Sequence, residues 1–134
     1  HHLFHVEITE SAYSDNPQRI ISIANKLHDA GFIIELDDFG TGYSSLTALT
    51  EIPIDIMKLD MSIIRKDDPN TEKSVLAFSM QLAQIMKMKT VAEGVETKAQ
   101  LNRIKFLGGN YVQGYYFSKP LTKVQFEDYM KKNA

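Results

Sequence analysis

Two adjacent carboxylates, Asp37 and Asp38, directly follow a mostly apolar run in this sequence. Like charges held side by side repel one another, and a protein tolerates such a pair mainly where a cation lies between them. The alternative is an Asx-type turn in which Asp38 caps a loop and the following glycines supply positive φ angles. The pair therefore indicates either a cation site or a specialised turn.

The segment after the two aspartates predicts a flexible loop that leads into a helix. Its glycines permit backbone conformations that other residues avoid, and its paired serines are typical of helix starts. The loop residues are Gly40, Thr41, Gly42, Ser44 and Ser45.

Reactive side chains fall at or just past the ends of all the predicted strands, including the strand before the two aspartates. In a parallel (β/α) barrel the carboxyl ends of the strands meet on one face, where active sites are built. Charges that served only solubility would also be scattered over the helices, so this distribution favours a shared site. The residues concerned are Glu7, Asp37, Asp38, Lys58, Asp60, Glu93, Glu96 and Gln113.

The elements that position these side chains alternate between strand and helix. The predicted strands cover residues 3–8, 32–36, 55–60, 90–92 and 111–113. Asn16-Pro17 begins a helix that Gly31 ends, and the turn at 67–70 opens a long one. Capping boxes at Thr97/Gln100 and Thr122/Gln125 begin two more. Short strands separated by helices predict an α/β fold with a parallel sheet.

Composition narrows the class of protein. The chain has 134 residues, of which 43% are hydrophobic, as expected for one globular domain. The absence of cysteine excludes a disulfide scaffold, a thiol nucleophile and a zinc–thiolate site. A net charge of -2 gives no sign of a surface for nucleic acid polymers. No apolar run approaches the roughly 20 residues of a membrane span, which predicts a cytoplasmic location.

Five sequence blocks together resemble the EAL domain, the cyclic di-GMP phosphodiesterase family. They occur in the order and at the spacing of that family, from the first residues to the last predicted helix. The blocks are Glu7-x-Thr9-Glu10, the segment 37–46, Lys58-Leu59-Asp60, the segment 92–97 and the segment 113–120.

The resemblance implies the later part of a TIM-like (β/α)8 barrel, for which about 250 residues are typical. The Glu-Ala-Leu segment that names the family does not occur in this chain. We therefore expect residues 1–134 to form a single partial domain. His1-His2 is interpreted as either a tag remnant or the result of a cut through a larger domain.

The resemblance also implies a reaction, the hydrolysis of cyclic di-GMP to linear pGpG with two Mg²⁺ or Mn²⁺ ions. The implied metal ligands are Glu7, Asp37, Asp38 and Glu93. The implied catalytic residues are Asp38, Glu93, which would act as general base or as a ligand of the second ion, and Lys58, which would orient water or stabilise phosphoryl charge. Lys58 could instead be a strand-end lysine that only neutralises the neighbouring acids.

The remaining residues of the site have supporting roles by the same resemblance. Gln113, Glu96 and Asp60 would contact substrate or the catalytic groups, although Glu96 could instead favour the dipole of the next helix. Glu10 would anchor the loop after Asp38, and that loop can present N–H groups to a phosphate. Residues 115–117 are aromatic, and core packing is a more common role for them than contact with a guanine.

Exposed sheet edges and an open barrel interior predict a homodimer or an exchanged oligomer. Little activity is expected of the 134-residue chain alone, because its strands cannot close a barrel. Two alternatives remain open. One is a cyclic di-GMP receptor or protein-interaction module of EAL descent without catalysis, and the other is a different TIM-barrel hydrolase with an acidic metal site.

Overall fold

The computed structural model describes residues 3–40, 46–71 and 73–133 of the chain. Its strands are β1 (His5–Thr9), β2 (Ile33–Phe39), β3 (Ile56–Leu59), β4 (Lys89–Ala92) and β5 (Tyr111–Val112). Within these residues they form a five-stranded sheet in the order β1-β2-β3-β4-β5, with every neighbouring pair parallel. The predicted α/β fold with a parallel sheet is therefore confirmed.

Helices connect the strands, and several begin where their capping residues predict. The side chain of Asn16 accepts a hydrogen bond from the Arg19 N–H, and Thr97 and Gln100 form a complete capping box. None of the helices in the described part of the chain combines the length and hydropathy that a bilayer crossing requires. The helices are α1 (Glu10–Asp15), α2 (Pro17–Asp29), α3 (Leu46–Glu51), α4 (Met61–Lys66), α5 (Val75–Ile85), α6 (Lys98–Phe106) and α7 (Lys123–Asn133).

Some predicted boundaries are wrong. The second strand does not stop before the two aspartates but continues through them to Phe39. The long helix begins only at Val75, because the hydroxyl of Ser74 caps it by accepting from the Ala77 N–H. The prediction also missed α1 and α4, which have six residues each and carry little helical periodicity of their own.

Alternation along the central strands divides their side chains between two environments. Leu36 of β2 and Met57 and Leu59 of β3 point into the main hydrophobic core beneath the helices. The residues between them point to the opposite sheet face, because successive side chains of a strand alternate in direction. Asp37 and Lys58 therefore share the face that lies inside a (β/α) barrel.

Candidate active site

Four side chains from four neighbouring strands and strand ends meet at the carboxyl edge of the sheet. The Nζ atom of Lys58 lies 2.8 Å from Oε1 of Glu7, 3.0 Å from Oδ1 of Asp37 and 3.2 Å from Oε1 of Glu93. We call Glu7, Asp37, Lys58 and Glu93 the Lys58 cluster. Glu7 and Glu93 are 86 positions apart in the sequence, so only the strand order brings the four residues together.

Strand register explains why the cluster forms. Thr9 of β1 lies beside Asp37 of β2. Glu7 is two residues before Thr9, so its side chain points to the same sheet face as that of Asp37. Lys58 pairs with Val91, and Glu93 follows two residues later on the same side as Val91. The backbone N–H of Glu93 donates to the carbonyl of Leu59, which fixes the start of its loop against β3.

The cluster is largely shielded from solvent at its centre and open at its rim. The side chain of Lys58 is 10% exposed, while those of Asp37, Glu93 and Glu7 are 19%, 22% and 53% exposed. One ammonium thus faces three carboxylates, and Asp38 adds a further negative charge that acts on Glu93. The described side chains leave an excess of negative charge, which favours the binding of cations.

Asp38 holds an unusual backbone conformation beside the cluster. Its φ angle is 58°, in the left-handed region that aspartate adopts more readily than most residues. Its backbone N–H donates to Oδ1 of Asp37 at 3.0 Å, and the register between β2 and β3 shifts between Leu36 and Phe39. The end of β2 is therefore irregular at the two adjacent aspartates.

The ammonium of Lys58 is held in its charged form. Burial alone would lower the pKa of Lys58, but hydrogen bonds to Glu7, Asp37 and Glu93 outweigh burial and raise that pKa above its ordinary value. A raised lysine pKa contributes stability that is present at neutral pH and lost only as the pH rises through the alkaline range. Lys58 is thus a fixed positive charge at physiological pH and cannot serve as a base.

The surroundings of Glu93 favour the neutral form of its carboxyl group instead. Burial raises the pKa of its carboxyl group, the hydrogen bond from Lys58 partly opposes that rise, and the charges of Asp37 and Asp38 add to it. A raised carboxyl pKa contributes stability only at low pH, and this contribution is lost as the pH rises through the folded-state value. The ionised form of Glu93 therefore depends on nearby positive charge.

We expect Lys58→Met to raise the pKa of Glu93 further, because the one positive group that lowers it is removed. The measurement is a pH titration of the Glu93 carboxyl by ¹³C NMR in protein freed of divalent cations. Lys105→Met, at an exposed position on α6, is the matched control and should leave the titration unchanged. A Glu93 titration that does not move in Lys58→Met would contradict the electrostatic coupling.

The other predicted site residues lie around the cluster with separate partners. Gln113 follows β5, and its backbone pairs with Ala92 and Val95, which places it beside the Glu93 loop. The carboxylate of Glu96 lies 2.7 Å from Nη2 of Arg65. Asp60 caps α4 by accepting from the Ser62 N–H at 2.8 Å, and hydrogen bonds from the side chain and then the backbone of Ser62 hold the pKa of Asp60 below its ordinary value.

The remaining predicted positions concern the loop after β2. Glu10 is the first residue of α1, directly after β1. Gly40 has a φ angle of 93°, which favours glycine, and it packs against the side chain of Ile63. The other four predicted loop residues, Thr41, Gly42, Ser44 and Ser45, lie outside the described residues.

A cavity of about 880 Å³ opens beside the cluster, between the ends of β4 and β5 and the helices α4 and α7. Glu93, Gln113 and Glu96 line it together with Arg65, and its volume lies within the range of small-molecule sites. Residues 115–117 are 58%, 38% and 47% exposed, so the expectation that they form core is wrong. Tyr115 and Phe117 instead lie in the cavity wall.

The prediction missed a histidine–glutamate pair deeper on the same sheet face. Glu35 is 7% exposed and its Oε1 contacts Nδ1 of His5 on the neighbouring strand. Glu7 and Glu35 are direct partners in the register, so this pair lies beneath the Lys58 cluster. The signal was the spacing of Glu35 and Asp37, since residues two apart on a strand share a face.

The donor atoms of the cluster suit a hard divalent cation, because they are carboxylate oxygens. In the described part of the chain, however, no group of three or more acidic or histidine side chains has a geometry that could hold a metal ion. Here the carboxylates converge on the Lys58 ammonium instead. The chemical type of the ligands fits a metal.

Comparison with known proteins places this geometry in a family. The EAL domain model matches residues 1–120. PdeG of Escherichia coli strain K12, named as a probable cyclic di-GMP phosphodiesterase, is 41% identical over 123 residues, covering 89% of this chain and 24% of PdeG. The cyclic di-GMP phosphodiesterase NbdA of Pseudomonas aeruginosa is 38% identical over 128 residues, covering 94% of this chain and 16% of NbdA.

Solved structures agree in fold. A complex of the PaMucR phosphodiesterase with cyclic di-GMP superposes with a TM-score of 0.83 at 34% identity, covering 91% of this chain and 50% of that one. The EAL domain of Mycobacterium smegmatis DcpA has a TM-score of 0.83 at 30% identity, covering 96% of this chain and 58% of that one. These neighbours are TIM-like barrels, of which the five described strands form a part. The chain belongs to the EAL domain family.

Proposed function

We propose that this chain is part of an enzyme that hydrolyses one phosphodiester bond of cyclic di-GMP to give linear pGpG. The observation that carries the proposal is the convergence of Glu7, Asp37 and Glu93 on Lys58 at the carboxyl edge of a parallel sheet. It is supported by relatives that are named as cyclic di-GMP phosphodiesterases and by a related structure with cyclic di-GMP bound.

The proposed cofactors are two divalent cations, Mg²⁺ or Mn²⁺. The candidate ligands are Glu7, Asp37, Asp38 and Glu93, whose excess negative charge favours cations. Such ions, when bound, polarise the phosphoryl group and lower the pKa of a water molecule. The three carboxylates are partly exposed at the rim of the cluster. Their exposure is consistent with a cation replacing Lys58 as their partner.

Lys58 and Glu93 divide the remaining chemistry between them. The raised pKa of Lys58 keeps a positive charge where negative charge develops on the phosphoryl oxygens, and stabilisation of this kind is among the largest contributions to catalysis. The raised pKa of Glu93 brings that carboxylate closer to the operating pH, which suits a general base that takes a proton from water.

The residues around the cluster orient the substrate and the catalytic groups. Gln113 offers an amide in the cavity wall next to Glu93, and Glu96 is fixed there by Arg65. Asp60 supports the site by capping α4. Glu10 supports it from the start of α1, directly after β1. Asp38 contributes charge beside Asp37 and Glu93.

The proposal is tested by Asp37→Asn in the complete protein, with cyclic di-GMP and Mn²⁺. The amide keeps the shape of the side chain but removes a negative ligand, so we expect hydrolysis to fall at least about 100-fold. The variant should bind Mn²⁺ more weakly in calorimetry while its thermal unfolding stays cooperative. Undiminished turnover would contradict the proposal, and binding of cyclic di-GMP without product in the parent protein would select a receptor instead.

We propose that the chain associates with a second copy or with further strands of a barrel. The five strands of the described residues do not close an eight-stranded barrel, so the 134-residue chain alone is expected to have little or no activity. In the described residues α7 has no buried side chain, and its Val124, Phe126 and Met130 are 67%, 54% and 53% exposed. Sedimentation velocity of the chain should show an oligomer, and a monodisperse monomer would count against it.

A further inference from the structure

The first turn of α4 lies between the end of β2, the strand that carries Asp37, and the segment after β4, which carries Glu93. The side chain of Ile63 packs on the Cα of Gly40, so a Cβ atom at position 40 would collide with Cδ1 of Ile63. Met61 packs on Gly94 in the same way, and a Cβ atom there would collide with Cβ of Met61. One short helix thus touches the backbone at the end of β2 and after β4.

Both glycines stand close to carboxylates of the cluster. Gly94 directly follows Glu93, and Gly40 follows Asp37 by three residues. Their φ angles are 93° at Gly40 and 67° at Gly94, a region that favours glycine. With no side chain to intervene, a displacement of Met61 or Ile63 passes to the backbone beside Asp37, Asp38 and Glu93.

Polar contacts hold the helix α4 at both of its ends. Asp60 caps its start by accepting from the Ser62 N–H, and Lys58 lies two residues before that cap. At its end, Arg65 pairs with Glu96 at 2.7 Å.

The carboxylate that follows α4 joins it to two further helices. The side chain of Asp67 is 4% exposed. Its Oδ2 accepts from Nε of Arg103 on α6 at 2.9 Å, and its Oδ1 accepts from the hydroxyl of Ser74, the N-cap of α5. Because a buried carboxylate needs all its partners, the position of α4 is set by α5 and α6.

We propose that α4 is a spacer and that Met61 and Ile63 are positioning residues, which set the separation of Asp37 and Glu93 on the two sides of Lys58. This inference rests on the proposed function in so far as the separation matters for hydrolysis. Ile63 contacts Gly40 and Met61 contacts Gly94, so both act through the backbone of these glycines. Displacement of catalytic groups by about 1 Å is enough to lower a rate about 100-fold.

Two neighbouring isoleucines of α4 provide a matched test in the complete protein. Ile63 and Ile64 are 6% and 3% exposed, and both belong to the main core, but only Ile63 is in contact with Gly40. We expect Ile63→Ala to lower kcat for cyclic di-GMP about tenfold to 100-fold with little change in KM. Ile64→Ala should lower the midpoint of thermal unfolding by a similar amount and keep the parent kcat.

A milder pair protects the test against loss of folding. Ile63→Val removes only the Cδ1 methyl group that faces Gly40, while Ile64→Val removes the same group from the neighbouring position. A several-fold fall in kcat confined to Ile63→Val supports the spacer. Equal kcat values for the two valine variants would overturn it.

A second readout does not depend on catalysis. Acetylation of Lys58, followed by mass spectrometry of its peptide and referenced to exposed Lys105, reports how firmly its carboxylates hold the ammonium. Labelling of Lys58 should rise several-fold in Ile63→Ala and stay at the parent level in Ile64→Ala. A parent protein that does not hydrolyse cyclic di-GMP would defeat the proposed function but leave this comparison valid, and equal labelling of the two variants would overturn the spacer alone.

Discussion

Replacing Glu93 with glutamine is expected to lower kcat for cyclic di-GMP hydrolysis about 10² to 10⁴-fold, the usual contribution of a general base. Glutamine preserves the size of the side chain but cannot accept a proton from water. The Lys58 ammonium, 3.2 Å away, loses one of its three carboxylate partners and keeps the two shorter contacts, to Glu7 and Asp37. The fold should therefore survive the change.

The matched control for this variant is Glu127→Gln on α7, where the carboxylate is 54% exposed and 3.9 Å from Lys123. It removes the same charge at an exposed position that does not contact Lys58 in the ion pairs of the cluster, and it should leave kcat unchanged. Both variants should be measured in the complete protein with Mn²⁺, together with thermal unfolding. A Glu93→Gln enzyme with the parent kcat would show that another group accepts the proton.

The second large effect is expected from Lys58→Met, which removes the only ammonium of the cluster and leaves its three carboxylates to repel one another. Breaking a buried ion pair by deleting one partner destabilises a protein by about 3 kcal/mol. We also expect kcat to fall at least about 100-fold, because a preorganised positive charge at the phosphoryl group is lost. Urea unfolding and the hydrolysis assay measure the two effects.

A divalent cation should partly restore the stability of Lys58→Met, since it supplies the positive charge that the cluster then lacks. Addition of Mn²⁺ is expected to raise the free energy of unfolding more in this variant than in Lys105→Met, which alters only an exposed position. The activity should stay low, because the lysine itself is missing. Equal stability of the two variants without Mn²⁺ would contradict the electrostatic role of Lys58.

Local signals predicted much of the fold correctly. The capping pairs Thr97/Gln100 and Thr122/Gln125 give the hydrogen bonds expected of capping boxes at the starts of α6 and α7. The sequence did not predict the short helix α4, because six residues are too few for a helical period to be recognised. Its start depends on Asp60, whose place at a strand end indicates a site residue rather than a helix cap.

Strand-end positions predicted one shared edge for eight side chains, and four of these form the Lys58 cluster, but the sequence did not predict how the four meet. The sequence places Glu7, Asp37, Lys58 and Glu93 near the ends of parallel strands, and that is sufficient to expect one shared edge. The contact of Lys58 with all three acids depends on the register of four strands, which no local pattern specifies. The roles of these residues stay predictions that the variants test.

The spacing function of α4 could not be predicted for a related reason. Gly40 and Gly94 look like ordinary loop glycines in the sequence, and Met61 and Ile63 look like ordinary core residues. The role of these four residues depends on contacts between segments that are more than 20 residues apart in the chain. Such contacts become visible only when the sheet places β2, β3 and β4 side by side.

The most direct test of the central claim is the product of a single incubation. The complete protein, supplied with Mn²⁺ and an excess of cyclic di-GMP, should convert the dinucleotide to linear pGpG over many turnovers, as followed by chromatography and mass spectrometry. Addition of EDTA should stop the conversion. Recovery of intact cyclic di-GMP from protein that binds it, with no linear product, would contradict the claim that the Lys58 cluster is a hydrolytic site.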